Sequence, residues 1–282
     1  MKKILLSIFA LAAFTACETI DEADRWTEFK PIEMKKNVLV EDFTGQNCIN
    51  CPVAANLLHE LSASSMGTHI VAVSIHGGAM SLNVKTLMGL ATDLGDDYVR
   101  KWGNPALPAG MIDRTDGLGN VGRTCTFNSW TTAIVNRLSK ELVVDLNVKT
   151  AFNAETRQLN VNVETSPAEG PNGYLDSGMR LTVWITESGI IGQQTMPDGS
   201  INRNYVHNHV LRECLSAPYG DNIIENAQPG ENSLDLTYSY TIPATYGRNK
   251  WAVNPEQMAV VAFITASGGE VLQVIDAPVV KK

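Results

Sequence analysis

The stretch DFTGQNCINCPVAANLLHEL, residues 42 to 61, decides how the first half of the chain reads. It sets Cys48 and Cys51 two residues apart at the mouth of a helix. Upstream, residues 37 to 44 (NVLVEDFT) are rich in strand formers. Downstream, Pro52 suits a first helical turn, and Val53, Ala54, Leu57, Leu58 and Leu61 recur at helical spacing. A helix N-terminus favours a thiolate, because its dipole and unpaired N–H groups stabilise negative charge there. Three readings stay open at this point: a working redox pair, an inert disulfide, and half of a metal site.

Outward from the motif, the chain has two textures. Residues 69 to 75 (HIVAVSI) form a nearly continuous apolar run, as in strands buried within parallel sheets. The pattern then predicts a helix over 84–102, a break at GNPALP (103–108), a short strand at 109–113, a Gly-rich turn at 116–122 and a closing helix over 129–142. Strand alternating with helix indicates an α/β unit over residues 37–141. From residue 142 the periodicity becomes two, in 142–149, 159–165, 180–186, 234–240 and 258–264. Short alternating strands between Pro, Gly and Asn clusters predict an all-β, immunoglobulin-like sandwich domain over residues 142–282.

The first residues, MKKILLSIFALAAFTAC, carry a positive n-region at Lys2 and Lys3 and an apolar stretch too short to span a bilayer. Residues 1–16 resemble a bacterial lipoprotein signal peptide, with Cys17 as the residue to be acylated. Export would place the thiols where disulfides form. Residues 17–36 open with an acidic run that reads as a solvated tether, and acidic residues at that place also resemble a surface-export signal of Bacteroidetes lipoproteins. Removing Lys2 and Lys3 moves the formal charge from -8 to -10. No basic cluster occurs, which argues against a nucleic-acid partner.

On four features, residues 38 to 141 resemble a thioredoxin fold: the strand before CINC, the helix after it, Asp42 six residues upstream of Cys48, and Pro108 just before a strand. The resemblance implies that Cys48 attacks and Cys51 resolves a mixed disulfide. It implies further that Asp42 moves the proton and that Pro108 packs beside the disulfide. Asn47 departs from the pattern, since many thioredoxins carry an aromatic residue there. His76, at the end of the second strand, is a candidate neighbour of the site. His207 and His209 are a candidate binding patch and are expected on one face of one strand. They could complement a cysteine pair, but they lie in the second half of the chain and no second Cys-x-x-Cys exists, so no metal and no cofactor is expected. Cys125 and Cys214 are a candidate structural disulfide.

Taken with the HNHVLREC stretch (207–214), nearly the whole chain resembles the twenty-eight-kilodalton outer-membrane-protein family of Bacteroidetes lipoproteins. The expectation is then an outer-membrane lipoprotein, anchored by lipid on the periplasmic face or the cell surface. Its disulfide exchange would act on exported proteins. The alternative is a non-catalytic adhesin or accessory binding subunit with a surface partner, built on a retired thioredoxin scaffold.

Overall fold

The computed structural model describes residues 33–82, 89–116, 122–224, 233–246 and 251–281. The expected signal peptide, Cys17 and most of the tether lie outside these residues, as does much of the Gly-rich turn. Residues Glu33–Lys282 form one compact unit.

The first strand, β1 (Val38–Thr44), leads into α1 (Cys51–Ser62), then β2 (Ile70–His76), α2 (Asp93–Lys101), β3 (Ala109–Ile112), β4 (Cys125–Thr126) and α3 (Trp130–Leu138). The chain continues as β5 (Val144–Asn153), β6 (Gln158–Pro167), β7 (Arg180–Glu187), β8 (Ile190–Thr195), β9 (Ile201–His207), β10 (Val210–Cys214) and β11 (Asp221–Asn222). It closes with β12 (Leu234–Thr241), β13 (Thr245–Tyr246), β14 (Trp251–Ala252), β15 (Met258–Thr265) and β16 (Val271–Pro278). Helix α2 starts at Asp93, and residues 84–88 of the expected 84–102 span lie outside the described residues. Thr92 caps it, its Oγ1 accepting the Gly95 N–H at 3.0 Å, and acids in the first turn with Arg100 and Lys101 in the last complement the dipole.

A fold of an α/β thioredoxin-like domain followed by a separate immunoglobulin-like sandwich is not what forms. Strand predominates, and one nine-stranded mixed sheet runs β16-β15-β7-β10-β2-β1-β3-β4, with β11 beside β7. The free edge of β2 is taken by β10, which arrives parallel with Val210 opposite Ser74, and the Ser74 N–H donates to the His209 carbonyl at 2.8 Å. Burial explains the continuity. Strands β7 and β15 are buried on both faces, so neither leaves one side to water. One face packs on the three-stranded sheet β12-β6-β5 through Leu159, Val161, Val163, Leu181, Val183 and Val260. On the other, Trp184, Val261 and Phe263 meet Leu39, Phe43, Val73 and Tyr98 from the first half. Each such fully buried large apolar side chain contributes about 1.5–3 kcal/mol, which is lost if the halves part.

Alternation along β1 and β2 sorts their side chains onto two faces. Val38, Val40, Ile70 and Ala72 pack under α1 and α3, while Leu39, Phe43, Val71, Val73 and Ile75 pack with α2 and the β7–β15 face. The α1 face changes character toward the C-terminal ends of both strands, where its next residues are Asp42, Thr44, Ser74 and His76. That polar end of an otherwise apolar face is where the site lies.

Candidate active site

Cys48 and Cys51 form a disulfide with a Cα–Cα distance of 5.4 Å, at the start of α1. Asn50 sits at the helix N-cap without a side-chain cap, and the Cys51 N–H points at Cys48 Sγ from 3.1 Å. An uncapped first turn aimed at a sulfur stabilises that sulfur as a thiolate when the bond opens. Both cysteines are 2 % exposed.

The cover comes from the β8–β9 hairpin in the second half of the chain. Two buried glutamines interlock it with the disulfide loop. Gln194 Nε2 donates to the carbonyls of Gly45 at 3.2 Å and Cys48 at 2.9 Å, and Gln46 Nε2 donates to the Gln193 carbonyl at 3.0 Å. The Thr195 N–H donates to the Gln46 carbonyl at 2.8 Å, and Gln46 Oε1 accepts from the Leu90 N–H at 2.8 Å.

Between hairpin, sheet and helix lies a cavity of about 300 Å³. Its wall includes Cys51, Asp42, Ser74, Tyr205 and four of the chain's five histidines, His59, His76, His207 and His209. Three of these side chains bury a polar atom that has no hydrogen-bond partner: Asp42 Oδ1, His76 Nδ1 and His207 Nε2. Burial alone pushes the Asp42 carboxyl up to about 7. Burial acts the other way on the imidazoles, holding His207 down to about 4 and His76 well below its ordinary value, the latter helped by His207 and Arg212. His209 is also lowered by burial. The His76 and His207 rings meet edge to face with centroids 5.4 Å apart, and Tyr205 stands 4.8 Å from His207. At neutral pH His76 and His207 are thus neutral imidazoles beside a carboxyl poised to gain or lose its proton. Such a set can carry protons to and from a sulfur.

Asp42, Cys48, Cys51, His76, His207 and His209 are thus brought together. Pro108 follows a cis Leu107–Pro108 peptide bond immediately before β3, whose Ala109 pairs with Phe43 of β1. It is buried at the end of β1 but does not line the cavity. His207 and His209 do not share a strand face as expected. His207 ends β9, and His209 adopts φ 56, a left-handed turn that breaks the alternation before β10. Cys125 and Cys214 are free thiols and do not pair. They lie on β4 and β10, four strands apart in the sheet, about 19 Å at the usual strand spacing, against the 4.4–6.8 Å a disulfide spans. Burial raises each thiol to about 11, which keeps both protonated and unreactive.

Gln46, Gln194 and His59 were not among the expected site residues. Glutamine carries no chemical signature, and His59 lies on a helix whose exposed face is ordinary. Only the clustering of histidines would have marked it, and that needs the fold.

Comparison with known proteins places the chain in a family. The model of outer membrane protein Omp28 matches residues 95–282, and the chain belongs to that family of outer membrane proteins. The match begins within α2 and so does not include the disulfide. Among solved structures, HBP35 of Porphyromonas gingivalis is similar over 87 % of this chain and 76 % of that one, at 14 % identity and a TM-score of 0.65. That likeness concerns the fold. A protein from Agrobacterium tumefaciens matches over 88 % of this chain and 96 % of its own, at 15 % identity and a TM-score of 0.47. A search of curated proteins finds no match.

Proposed function

We propose that this Omp28-family protein is a lipid-anchored thiol-disulfide exchange protein acting on exported polypeptides. The single observation that carries the reading is the buried carboxyl of Asp42, its Oδ1 without a hydrogen-bond partner, held near 7 in the wall of the cavity that Cys51 also lines. A substrate thiolate attacks Cys48 Sγ, and the Cys48–Cys51 bond breaks with its electron pair going to Cys51. Asp42 supplies the proton that Cys51 takes up. A second substrate thiol then gives up its proton and attacks the mixed disulfide, so that the substrate leaves oxidised and Cys48 leaves as a thiolate. The Cys51 N–H at the head of α1 stabilises that thiolate. The reverse sequence reduces a substrate disulfide by the same contacts.

Anchoring rests on the signal layout that ends at Cys17. Radiolabelled palmitate incorporated by the native chain and absent from Cys17→Ser tests it. Exchange is tested by insulin reduction with a dithiol supply. Native protein turns over, and Cys48→Ser falls to background; native turnover equal to that of Cys48→Ser sinks the reading.

A second reading is favoured by one observation, the burial of both cysteines under the hairpin. In it the disulfide is a fixed brace, and the protein is an adhesin or accessory binding subunit. It predicts that the disulfide resists millimolar dithiothreitol until the protein unfolds.

A further inference from the structure

We infer that His76 and His207 form the fixed half of a site for a borderline transition-metal cation of the Zn²⁺ class, completed by Cys51 when the disulfide is open. The proposal goes beyond exchange and requires only that the disulfide be reducible.

The rings themselves carry it. His76 Nδ1 and His207 Nε2 are both buried and both without a partner, although a buried ring nitrogen ordinarily finds one. Their centroids stand 5.4 Å apart. Two imidazoles bound to one tetrahedral Zn²⁺, each at a Zn–N distance of about 2.0–2.1 Å, place their centroids about 5 Å apart. Neutral imidazole is the ligating form. Their facing neighbours are Asp42 on β1, Cys51 on α1, Tyr205 on β9 and, from β10, the Arg212 charge that bears on His76.

Among the described residues no three His, Cys, Asp or Glu side chains converge closely enough to hold an ion as the chain stands. The disulfide explains the missing third donor, since it pins Cys51 Sγ to Cys48. Opening it takes two electrons and two protons from a dithiol, which leaves as a disulfide. Cys51 can then rotate within the cavity wall it already lines, and the cation displaces its thiol proton. The site is thereby assembled from α1 and β2 in the first half and β9 in the second, and it is gated by the redox state. Asp42 lines the same cavity and can bind an outer water of the ion.

The test is a Co²⁺ titration of the purified protein, reduced with a phosphine and then in its disulfide form. The reduced protein should take up one equivalent, with tetrahedral d–d bands and a thiolate-to-cobalt charge-transfer band. It should bind at least about tenfold more tightly than the oxidised protein. His76→Asn and His207→Asn should each weaken binding about tenfold or more. His69→Asn, the histidine outside the cavity, should leave it unchanged. X-ray absorption of the reduced, Zn²⁺-loaded wild-type protein should show two imidazole nitrogens and a sulfur, which keeps the question decidable if a variant fails to fold. Equal affinity in both redox states, or a metal shell without two imidazoles, overturns the proposal. Binding is read without turnover, so an inactive protein in the insulin assay that still binds Co²⁺ would defeat the exchange reading alone.

Discussion

Glu41 and Asp42 are adjacent on β1, and both are buried, yet the chain treats them in opposite ways. Glu41 points to the α2 face, where Arg114 meets it with two parallel bonds, Nε to Oε2 and Nη2 to Oε1, each at 2.8 Å. The guanidinium is in turn held over the Phe263 ring at 4.9 Å, with Trp184 and Trp102 nearby. Asp42 points to the α1 face and leaves Oδ1 with nothing. The difference separates a charge that braces the core from the carboxyl to which the proposed exchange assigns a proton transfer. A carboxylate that braces a core is fully paired, whereas one that must exchange a proton near pH 7 has to be left without a cation.

The comparison breaks most severely at Arg114. Arg114→Met should leave Glu41 buried and unpaired and destabilise the fold by about 3–5 kcal/mol in urea unfolding. A loss under about 1 kcal/mol would mean that the pair contributes little and that the contrast is empty.

Asp42→Asn should act in the reverse direction. Its folded pKa lies above its unfolded value, so Asp42's contribution is fully present below about pH 4 and is lost as pH rises through about 7. Removing the charge should stabilise the protein by about 2–4 kcal/mol at pH 8, with the gain shrinking toward pH 5. Unfolding midpoints across that range check it.

The histidines sharpen the contrast from the acid side. Their folded values lie below the unfolded one, so their contribution is present above the ordinary imidazole range and is lost as pH falls, through about 4 for His207. Between pH 4 and 7 they oppose Asp42. The Asp42→Asn variant should therefore show a steeper loss of stability on acidification than the native protein, and His207→Asn a shallower one. The smallest effect is expected at Gln194. Gln194→Ala removes the bonds to Gly45 and Cys48, costs about 1–2 kcal/mol, and should speed reduction of the disulfide by dithiothreitol several-fold.

How much of this could be read from residues alone depends on whether the cause is local. Strands β1, β2 and β3 and helix α1 follow from short-range periodicity and a proline at the right turn, and each forms close to where it is expected. Asp42 is marked only by the resemblance, and a strand and a short loop fix its offset from Cys48. Pairing of β10 with β2 is not, since it joins residues far apart through a register of one pair, Val210 with Ser74. The β8–β9 hairpin is still harder to see. IIGQQT and INRNYVH lack a clean alternation, and its buried member Gln194 is of a type that normally faces water. Texture therefore divides the chain at residue 142, whereas the sheet and the cavity both cross that point. Histidines set aside as belonging to the other half stand in the wall of the disulfide's own cavity.

The central claim is that Asp42 is left unpaired so that it can move the proton of Cys51. The most direct measurement is the pH dependence of the rate at which the native disulfide exchanges with a cysteine-containing peptide, compared with Asp42→Asn. The native profile should bend near pH 7, and the variant should lose that bend together with at least about tenfold in rate at neutral pH. A variant with the native profile and rate would contradict the account.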